Sequence, residues 1–285
     1  MRFGVVVVLF DPNEENINNL DQFNTLGVKV CAVDNSANAN DNVIPENYHY
    51  IHNNNQGGIA GAFNKGITFL LQNGCDFIFT FDQDSVLPHN FFDSMQDFIS
   101  KNNAKMVVPD FIDTNSRTHA SFINLDKWSY KVTRTDKNTA FAISSGMGFD
   151  TSVWALIGPF TEDYIIDHVD TEICLKALRN NISIFVNYDI CLEHQIGNRS
   201  VHNFLGVTLK PNHHNYKRKY YIVRNGTHLS LKYLIDYPSY FFMNFLRIVH
   251  ELLCVVLYEK DKLRKLRYML KGLFHAVCGK LGAVS

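Results

Sequence analysis

The sequence contains no CxxC pair: its six cysteines, Cys31, Cys75, Cys174, Cys191, Cys254 and Cys278, are scattered along the chain. That spacing argues against a zinc site and suits a reducing compartment. No run of about 20 uncharged apolar residues occurs, so no spanning helix is expected. The apolar start MRFGVVVVLF passes at once into DPNEEN without a small-residue cleavage site, which predicts a first β-strand rather than a signal peptide. Neither a Walker loop nor a proper GxGxxG is present, so ATP-type phosphate cradling is not supported. No recognised nucleic-acid motif accompanies the basic residues, and nucleic acid is not an expected partner. Charged residues make up 19% and hydrophobic residues 46% of 285, a globular balance with length for one large domain or a domain plus an appendage.

What is present is unevenly placed. Residues 1–209 carry 13 Lys/Arg and 24 Asp/Glu, a net of -11, whereas residues 210–285 carry 14 and 4, a net of +10. An acidic body over 1–209 and a basic tail over 210–285 follow as the expected domains.

The first half alternates strand and helix patterns. FGVVVVLF is a continuous apolar run, as in a strand covered on both faces. NINNLDQFNTL has Ile17, Leu20, Phe23 and Leu26 at helical spacing; VKVCAVDNS, YHYIHN and FIFTFDQDS read as further strands. This rhythm predicts an open, mostly parallel α/β sheet, with ligands taken just outside the carboxyl ends of its strands. KMVVPD reads as a strand, SSGMGFD as a turn, and DHVDTEICLKALRNN as a helix. In FFMNFLRIVHELLCVVLY the polar positions Asn244, Arg247, Glu251 and Cys254 recur every three or four residues, an amphipathic helix.

Five constellations carry candidate chemistry. The strand-end pair Asp82 and Asp84, flanking Gln83, offers two hard oxygen ligands suited to Mg²⁺ or Mn²⁺; a solvated turn is the alternative. Asp34 in VDNS suits a ribose or base edge, or equally an Asx-type turn. The block NNNQGGIAGAFNKGI at 53–67, with Asn55, Gly57 and Asn64, allows close backbone approach to a ligand and an anion-favouring helix start. Asp167, Asp170 and Glu172 gather at the head of a helix, as a general base or as simple capping. His194 in LEHQIGNRS precedes a Gly and an Arg in a polar loop and is a candidate phosphate or metal contact.

In this order, DQDS, NQGGIAGAFNKGI, DHVDTE, the H-x-x-G at His194 to Gly197 and YKRKYYIVRN resemble the inverting glycosyltransferases of family 2, with the GT-A fold. The resemblance covers roughly residues 3–230 and is strongest to bacterial rhamnosyltransferases of O-antigen, capsule and cell-wall polysaccharide. It implies that Asp34, Asn55, Gly57, Asn64, Asp82 and Gln83 bind the donor, and that Asp82, Asp84 and His194 serve the metal. Asp170 matches the base, although Val169 stands where the family more often has Glu, which keeps Asp167 as a rival. The implied donor is a nucleotide sugar, dTDP-β-L-rhamnose by preference and a UDP-hexose otherwise. The implied acceptor is a glycan, one carried on polyprenyl diphosphate among the choices. The implied setting is the cytoplasm, at the inner face of the cell membrane. The basic tail suits the negative surface of that membrane, or packs its apolar face on the body or on a second subunit of a homo-oligomer. A sugar-phosphate nucleotidyltransferase is a poor second reading, because the loop after the first strand is acidic and glycine-free. A non-catalytic nucleotide-sugar-binding protein is a third, but the acidic pair and the base are both present.

Overall fold

The computed structural model describes residues 1–25, 27–113, 118–194, 200–204 and 206–284, and their side chains except those of Asp113 and His194. Leu26 and the loop from Gln195 to Arg199, which holds Gly197 of the H-x-x-G, lie outside the described residues. The chain divides into two compact units. The first comprises Met1–Asn124, Val132–Ile165 and Val169–Gln195; the second comprises Leu125–Lys131, Ile166–His168 and Ile196–Ser285. The main division therefore falls ahead of the change of charge at 210.

The elements in chain order are β1 (Phe3–Leu9), α1 (Glu14–Asn18), β2 (Val28–Asp34), β3 (His49–His52), α2 (Gly58–Gln72), β4 (Phe77–Asp82) and α3 (Phe91–Asn102). They continue with β5 (Met106–Asp113), β6 (Thr118–His119), β7 (Phe122–Leu125), β8 (Tyr130–Thr133), β9 (Asn138–Thr139), β10 (Met147–Asp150), α4 (Thr151–Ile157), α5 (Val169–Arg179) and β11 (Ile184–His194). The last are β12 (His202–Phe204), β13 (Val207–Leu209), α6 (Tyr216–Lys232), α7 (Pro238–Tyr258) and α8 (Lys262–Val277).

The first unit is a mixed α/β sheet in the order β3-β2-β1-β4-β10-β5-β11-β9, with β6 beside β5. All seven residues of β1 are buried, as its unbroken apolar run requires of a central parallel strand. On β4, Phe77, Phe79 and Phe81 share one face by period two and meet Phe91, Phe92, Met95 and Ile99 of α3. Edge-to-face pairs such as Phe79–Phe91 (5.5 Å between centroids) and Phe91–Phe92 (5.2 Å) lock this layer.

Two expectations change here. SSGMGFD is not only a turn: Met147–Asp150 is the antiparallel strand β10, inserted between β4 and β5. Gly148 lets it fit, because a Cβ there would stand 2.4 Å from the Phe79 ring. The crossover expected over NINNLDQFNTL is one short helix followed by a 3₁₀ turn over Asn19–Phe23. Its asparagines compete for backbone hydrogen bonds, and Asn13 and Asn16 close a capping box.

The second unit is helical, with the β12–β13 hairpin, and its interior is polar. Lys219 of α6 is wholly buried and donates to Glu251 of α7 (2.6 Å) and Glu259 (2.8 Å); Lys265 of α8 donates to the other Glu259 oxygen (2.7 Å). Burial pushes the Lys219 amine down, but the two glutamates outweigh it and raise it above its ordinary value. Burial pushes Glu259 up, but Lys219 and Lys265 hold its carboxyl below the usual range. Arg224 is also buried, donating to Asn225 Oδ1 (2.8 Å) and to the Gly282 carbonyl, with its guanidinium against Tyr220 and Tyr221. The accompanying apolar cluster is small: Val223, Val255 and Met269, with Ile248 and Leu266.

Helix α7 therefore packs the opposite way from a usual surface helix. Its polar positions Asn244, Glu251 and Cys254 face inward, and its apolar stripe faces out. By length and composition it is also apolar enough to cross a bilayer, which the search for an uncharged run missed because Arg247 and Glu251 interrupt it.

Candidate active site

The strand ends bring the first candidates together. Asp34 ends β2 in register with Leu9, and Asp82 ends β4 in register with Val8, so the two flank the end of β1. Two strand spacings put their Cα atoms about 10 Å apart across that end.

Asp82 is half-buried and Asp84 exposed, both on the turn that leaves β4. Gln83 between them bonds back to the residue after β1. Its Oε1 accepts from the Phe10 amide (2.8 Å) and its Nε2 donates to the Phe10 carbonyl (3.2 Å), extending the β1–β4 ladder through a side chain. These two bonds set the turn that carries both carboxylates. Ser85 hydrogen-bonds Ser145 through their hydroxyls, and Val86 pairs with Glu193 by two backbone bonds of 3.3 Å. That pairing brings the main chain of His194, the next residue, beside the turn; its side chain is outside the described set. Two accessible carboxylates at one strand end fit a hard divalent cation such as Mg²⁺ or Mn²⁺, with Asp82 and Asp84 as the residues to hold it.

Asp34 is fully buried and its oxygens are well supplied. Oδ1 accepts from the Ser36 amide (2.9 Å); Oδ2 accepts from the Tyr50 hydroxyl (2.7 Å) and from the Asn40 side chain (2.9 Å) and amide (3.2 Å). Burial pushes its carboxyl up, but these bonds outweigh burial and hold it below the usual carboxylate range. A ligand contact at Asp34 requires one of these donors to yield, so its first effect is to fix the loop over 34–40.

The loop before α2 carries positive φ at Asn54, Asn55, Gly57 and Gly58. Asn55 is exposed, and its carbonyl accepts from the Gly58 amide (3.1 Å). Gly58 is required by crowding: a Cβ there would stand 2.1 Å from the Ile165 carbonyl, which itself accepts from the Ile59 amide. At Gly57 a Cβ would meet Glu162 Oε2 at 2.6 Å. The close approach read into this block is thus made to the 162–165 segment. Asn64 meets the same segment. Its amide donates to the Phe160 carbonyl (3.0 Å) and Glu162 Oε1 (2.9 Å) and accepts from the Phe160 amide (2.9 Å), so it straps that segment to α2.

At the head of α5, Asp170 is half-buried, and Oδ1 accepts from the amide of Thr171 (2.7 Å). In the first unit its helix is joined to the β4 turn through the 142–146 segment. Cys174 of α5 contacts the Ala142 carbonyl, and Thr80 donates to the Ser144 carbonyl (2.6 Å). Asp167 belongs with the second unit. The Arg218 fork holds it, Nε at 3.2 Å from Oδ2 and Nη2 at 3.3 Å from Oδ1. The two rivals for the base thus differ: Asp167 is an ion-pair partner, and Asp170 is the carboxylate of a helix start in the catalytic unit.

Sequence reasoning missed several residues that build these loops. Tyr50, Asn40 and Glu162 act on Asp34, Gly57 and Asn64 from positions without a local pattern. Asn53, buried and donating to Asn35 Oδ1 (2.6 Å), is nearer the heart of the loop than Asn55. Asp110, His119 and Cys191 gather on β5, β6 and β11, with His119 Nδ1 2.6 Å from Asp110 Oδ2 and 4.0 Å from Cys191 Sγ. The Asn225-Gly226-Thr227 sequon is closed to glycosylation, since Asn225 is buried and donates to the carbonyls of Ile166 and Asp167.

Comparison with known proteins agrees with this layout. The profile of "Glycosyl transferase family 2" matches residues 16–157. The dTDP-rhamnosyl transferase RfbF of Shigella flexneri is 30% identical over 287 residues, covering 97% of this chain and 95% of that protein. The fold resembles S. aureus TarS (TM-score 0.59, 14% identity, 97% of this chain and 49% of that one). It also resembles GalNAc-T7 solved with UDP, GalNAc and Mn²⁺ (TM-score 0.52, 12% identity, 72% of this chain and 45% of that one). A relative of that identity over nearly the whole of both chains settles membership: this chain belongs to glycosyl transferase family 2 and is a glycosyltransferase with a GT-A fold.

Proposed function

We propose that the chain transfers L-rhamnose from dTDP-β-L-rhamnose to a glycan hydroxyl, with inversion, in the synthesis of a bacterial surface polysaccharide such as O-antigen. The observation that carries the donor is the 30% identity to a dTDP-rhamnosyl transferase across 97% of the chain. In this reading the acceptor is carried on polyprenyl diphosphate, and the enzyme works in the cytoplasm at the inner face of the cell membrane.

Asp170 takes the proton of the acceptor hydroxyl, with its carboxylate set by the Thr171 amide. The acceptor oxygen bonds to the anomeric carbon as the bond from that carbon to the diphosphate breaks, so dTDP leaves and a β donor gives an α-L-rhamnoside. Asp82 and Asp84 would hold Mg²⁺ or Mn²⁺, which when bound neutralises charge on the departing diphosphate. Gln83 keeps both carboxylates at the end of β1. Asp34 and the 53–58 loop shape the nucleotide pocket, with Asn55 and the backbone at Gly57 on its rim; His194 is assigned to the metal side.

A UDP-hexose donor is the second reading, favoured by TarS having been solved with UDP-GlcNAc (TM-score 0.56, 15% identity). Calorimetry with dTDP-rhamnose, UDP-glucose, UDP-galactose and UDP-GlcNAc, each with Mn²⁺, with Mg²⁺ and with EDTA, decides between them. Metal-dependent binding of dTDP-rhamnose alone is expected. Transfer by Asp170→Asn should fall about 10³-fold, the span of a lost general base, with donor affinity kept. Selective binding of a UDP-sugar overturns the donor, and an active Asp170→Asn protein overturns the base.

A further inference from the structure

A helix in water normally turns its polar side outward. On α7 the outward residues are Phe241, Phe242, Phe245, Leu246, Val249, Leu252, Leu253 and Val256. At about 100° per residue these eight fall within about 140° of arc, one unbroken apolar stripe along the helix. The polar side is committed inward, with Glu251 on Lys219 and Asn244 against Gly226. The same unit exposes further apolar residues. Ile235, just ahead of α7, and Leu263, Leu270, Phe274 and Val277 of α8 are exposed, Leu263 at 86%. Contiguous exposed apolar surface of this extent marks an interaction site.

The charge around the stripe identifies what covers it. From 238 to 285 the exposed or half-exposed ions are Arg247, Lys260, Lys262, Arg264, Arg267, Lys271 and Lys280 against Asp261; Glu251 and Glu259 are buried on lysines. A two-fold dimer through this face would set basic groups against their own copies, whereas an anionic surface complements them. At the start of α7, Ser239 hydrogen-bonds the carbonyls of Asp126 and Lys127, which holds a hairpin tip with Trp128 78% exposed beside Lys127. An amphipathic aromatic ring beside an amine suits the headgroup layer.

We infer that the outward face of α7, with the exposed side of α8 and Trp128, docks flat on an anionic lipid bilayer, the stripe in the acyl boundary and the Lys and Arg side chains among the headgroups. This mode deepens the reading of a lipid-linked acceptor and rests on it for its purpose. Crossing the bilayer instead would strip Glu251 and Asn244 from their partners and carry a carboxylate into hydrocarbon. A flat helix keeps every one of those bonds.

The test uses the full chain with vesicles of phosphatidylcholine alone or with phosphatidylglycerol, read by co-sedimentation. Phosphatidylglycerol vesicles are expected to bind at least about tenfold more tightly, and raising NaCl from about 0.1 to 1 M to release much of the protein. Phe242→Ser with Phe245→Ser, both exposed, should weaken binding at least about tenfold with the melting temperature kept. Arg264→Gln with Arg267→Gln should remove the lipid selectivity, and serves if the first variant does not fold. Donor calorimetry on the same samples keeps a failure of docking distinct from a failure of the transferase reading. No binding to either vesicle, binding indifferent to both variants, or a dimer in lipid-free buffer that the phenylalanine variant dissociates overturns the inference. So does resistance to carbonate extraction with α7 protected from protease, which means insertion.

Discussion

The two units solve burial in opposite ways. In the first, the central strands β1 and β4 are runs of Val and Phe buried among apolar neighbours, and the carboxylate of Asp82 stands where β4 stops. In the second, Lys219, Arg224, Glu251 and Glu259 occupy the interior, and a stripe of Phe, Leu and Val lies outside. Water alone rewards the first arrangement; the second costs desolvation inside and leaves apolar area exposed outside. The difference teaches that the second unit is organised by directional bonds among three helices, whereas the first is organised by packing. A catalytic end built of strand termini needs only the first kind of stability.

Lys219 is where that comparison breaks most sharply. Replacing it with Met leaves Glu251 buried without its lysine and Glu259 with Lys265 alone, and breaking such a buried pair costs about 3–5 kcal/mol. Urea unfolding should show this loss, with hydrogen exchange rising in α6 to α8 before β1 and β4. Changing Lys219, Glu251, Glu259 and Lys265 together to apolar residues of similar volume should restore much of it, because no buried charge is then left unpaired within the group. If Lys219→Met is neutral, the polar interior does not organise the unit.

The first unit was the legible one, for reasons that lie in its residues. FGVVVVL and FIFTF carry their own burial, since an unbroken apolar run has few places to go but a covered strand. Asp82, Asp84, Asp34 and Asp170 were readable because each stands at an element boundary marked by a change of pattern. The backbone bonds of Gln83 and Asn64 were not legible, because an amide reads the same whether it meets a ligand or a neighbouring backbone. Their partners at Phe10 and Phe160 are 73 and 96 residues away. The period of α7 was plain, but its sign was not. Period fixes which residues share a face, and Lys219, 32 residues away, is what draws the Glu251 face inward. β10 hid behind Gly146 and Gly148, the second of which the Phe77 and Phe79 rings demand.

A smaller effect is expected in the first unit, where packing rather than charge is at stake. Gly58→Ala forces a Cβ against the Ile165 carbonyl at a φ of +61°. Overpacking and left-handed strain together should cost about 1–3 kcal/mol. Thermal melting should fall accordingly, and donor affinity with it if the 53–58 loop shapes the nucleotide pocket. A loss of stability with unchanged donor affinity would separate that loop from the site and leave it a purely structural strap.

The finest contrast is in acid. His168, buried in the second unit against Tyr240, has its imidazole pushed well below its ordinary value, first by burial and then by the Arg247 charge. A depressed histidine pKa means that the unfolded chain takes up a proton first, near 6.5. The stability tied to neutral His168 is therefore complete above that pH. It falls as pH drops, by about 1.4 kcal/mol per unit, until the folded-state value is reached. Asp34 in the first unit is depressed as a carboxylate, so its contribution is lost only as pH falls below about 3.9. Between pH 6.5 and 5, hydrogen exchange should quicken in α6 and α7 while β1 and β2 stay protected. His168→Asn should flatten that slope, leaving the lesser share of His275, whose imidazole burial and then Lys271 push the same way. Equal acid sensitivity in both units, or an unchanged slope in the variant, would mean that the polar interior of the second unit tolerates a charge at His168 as well as water does, and the contrast drawn from burial would fail there.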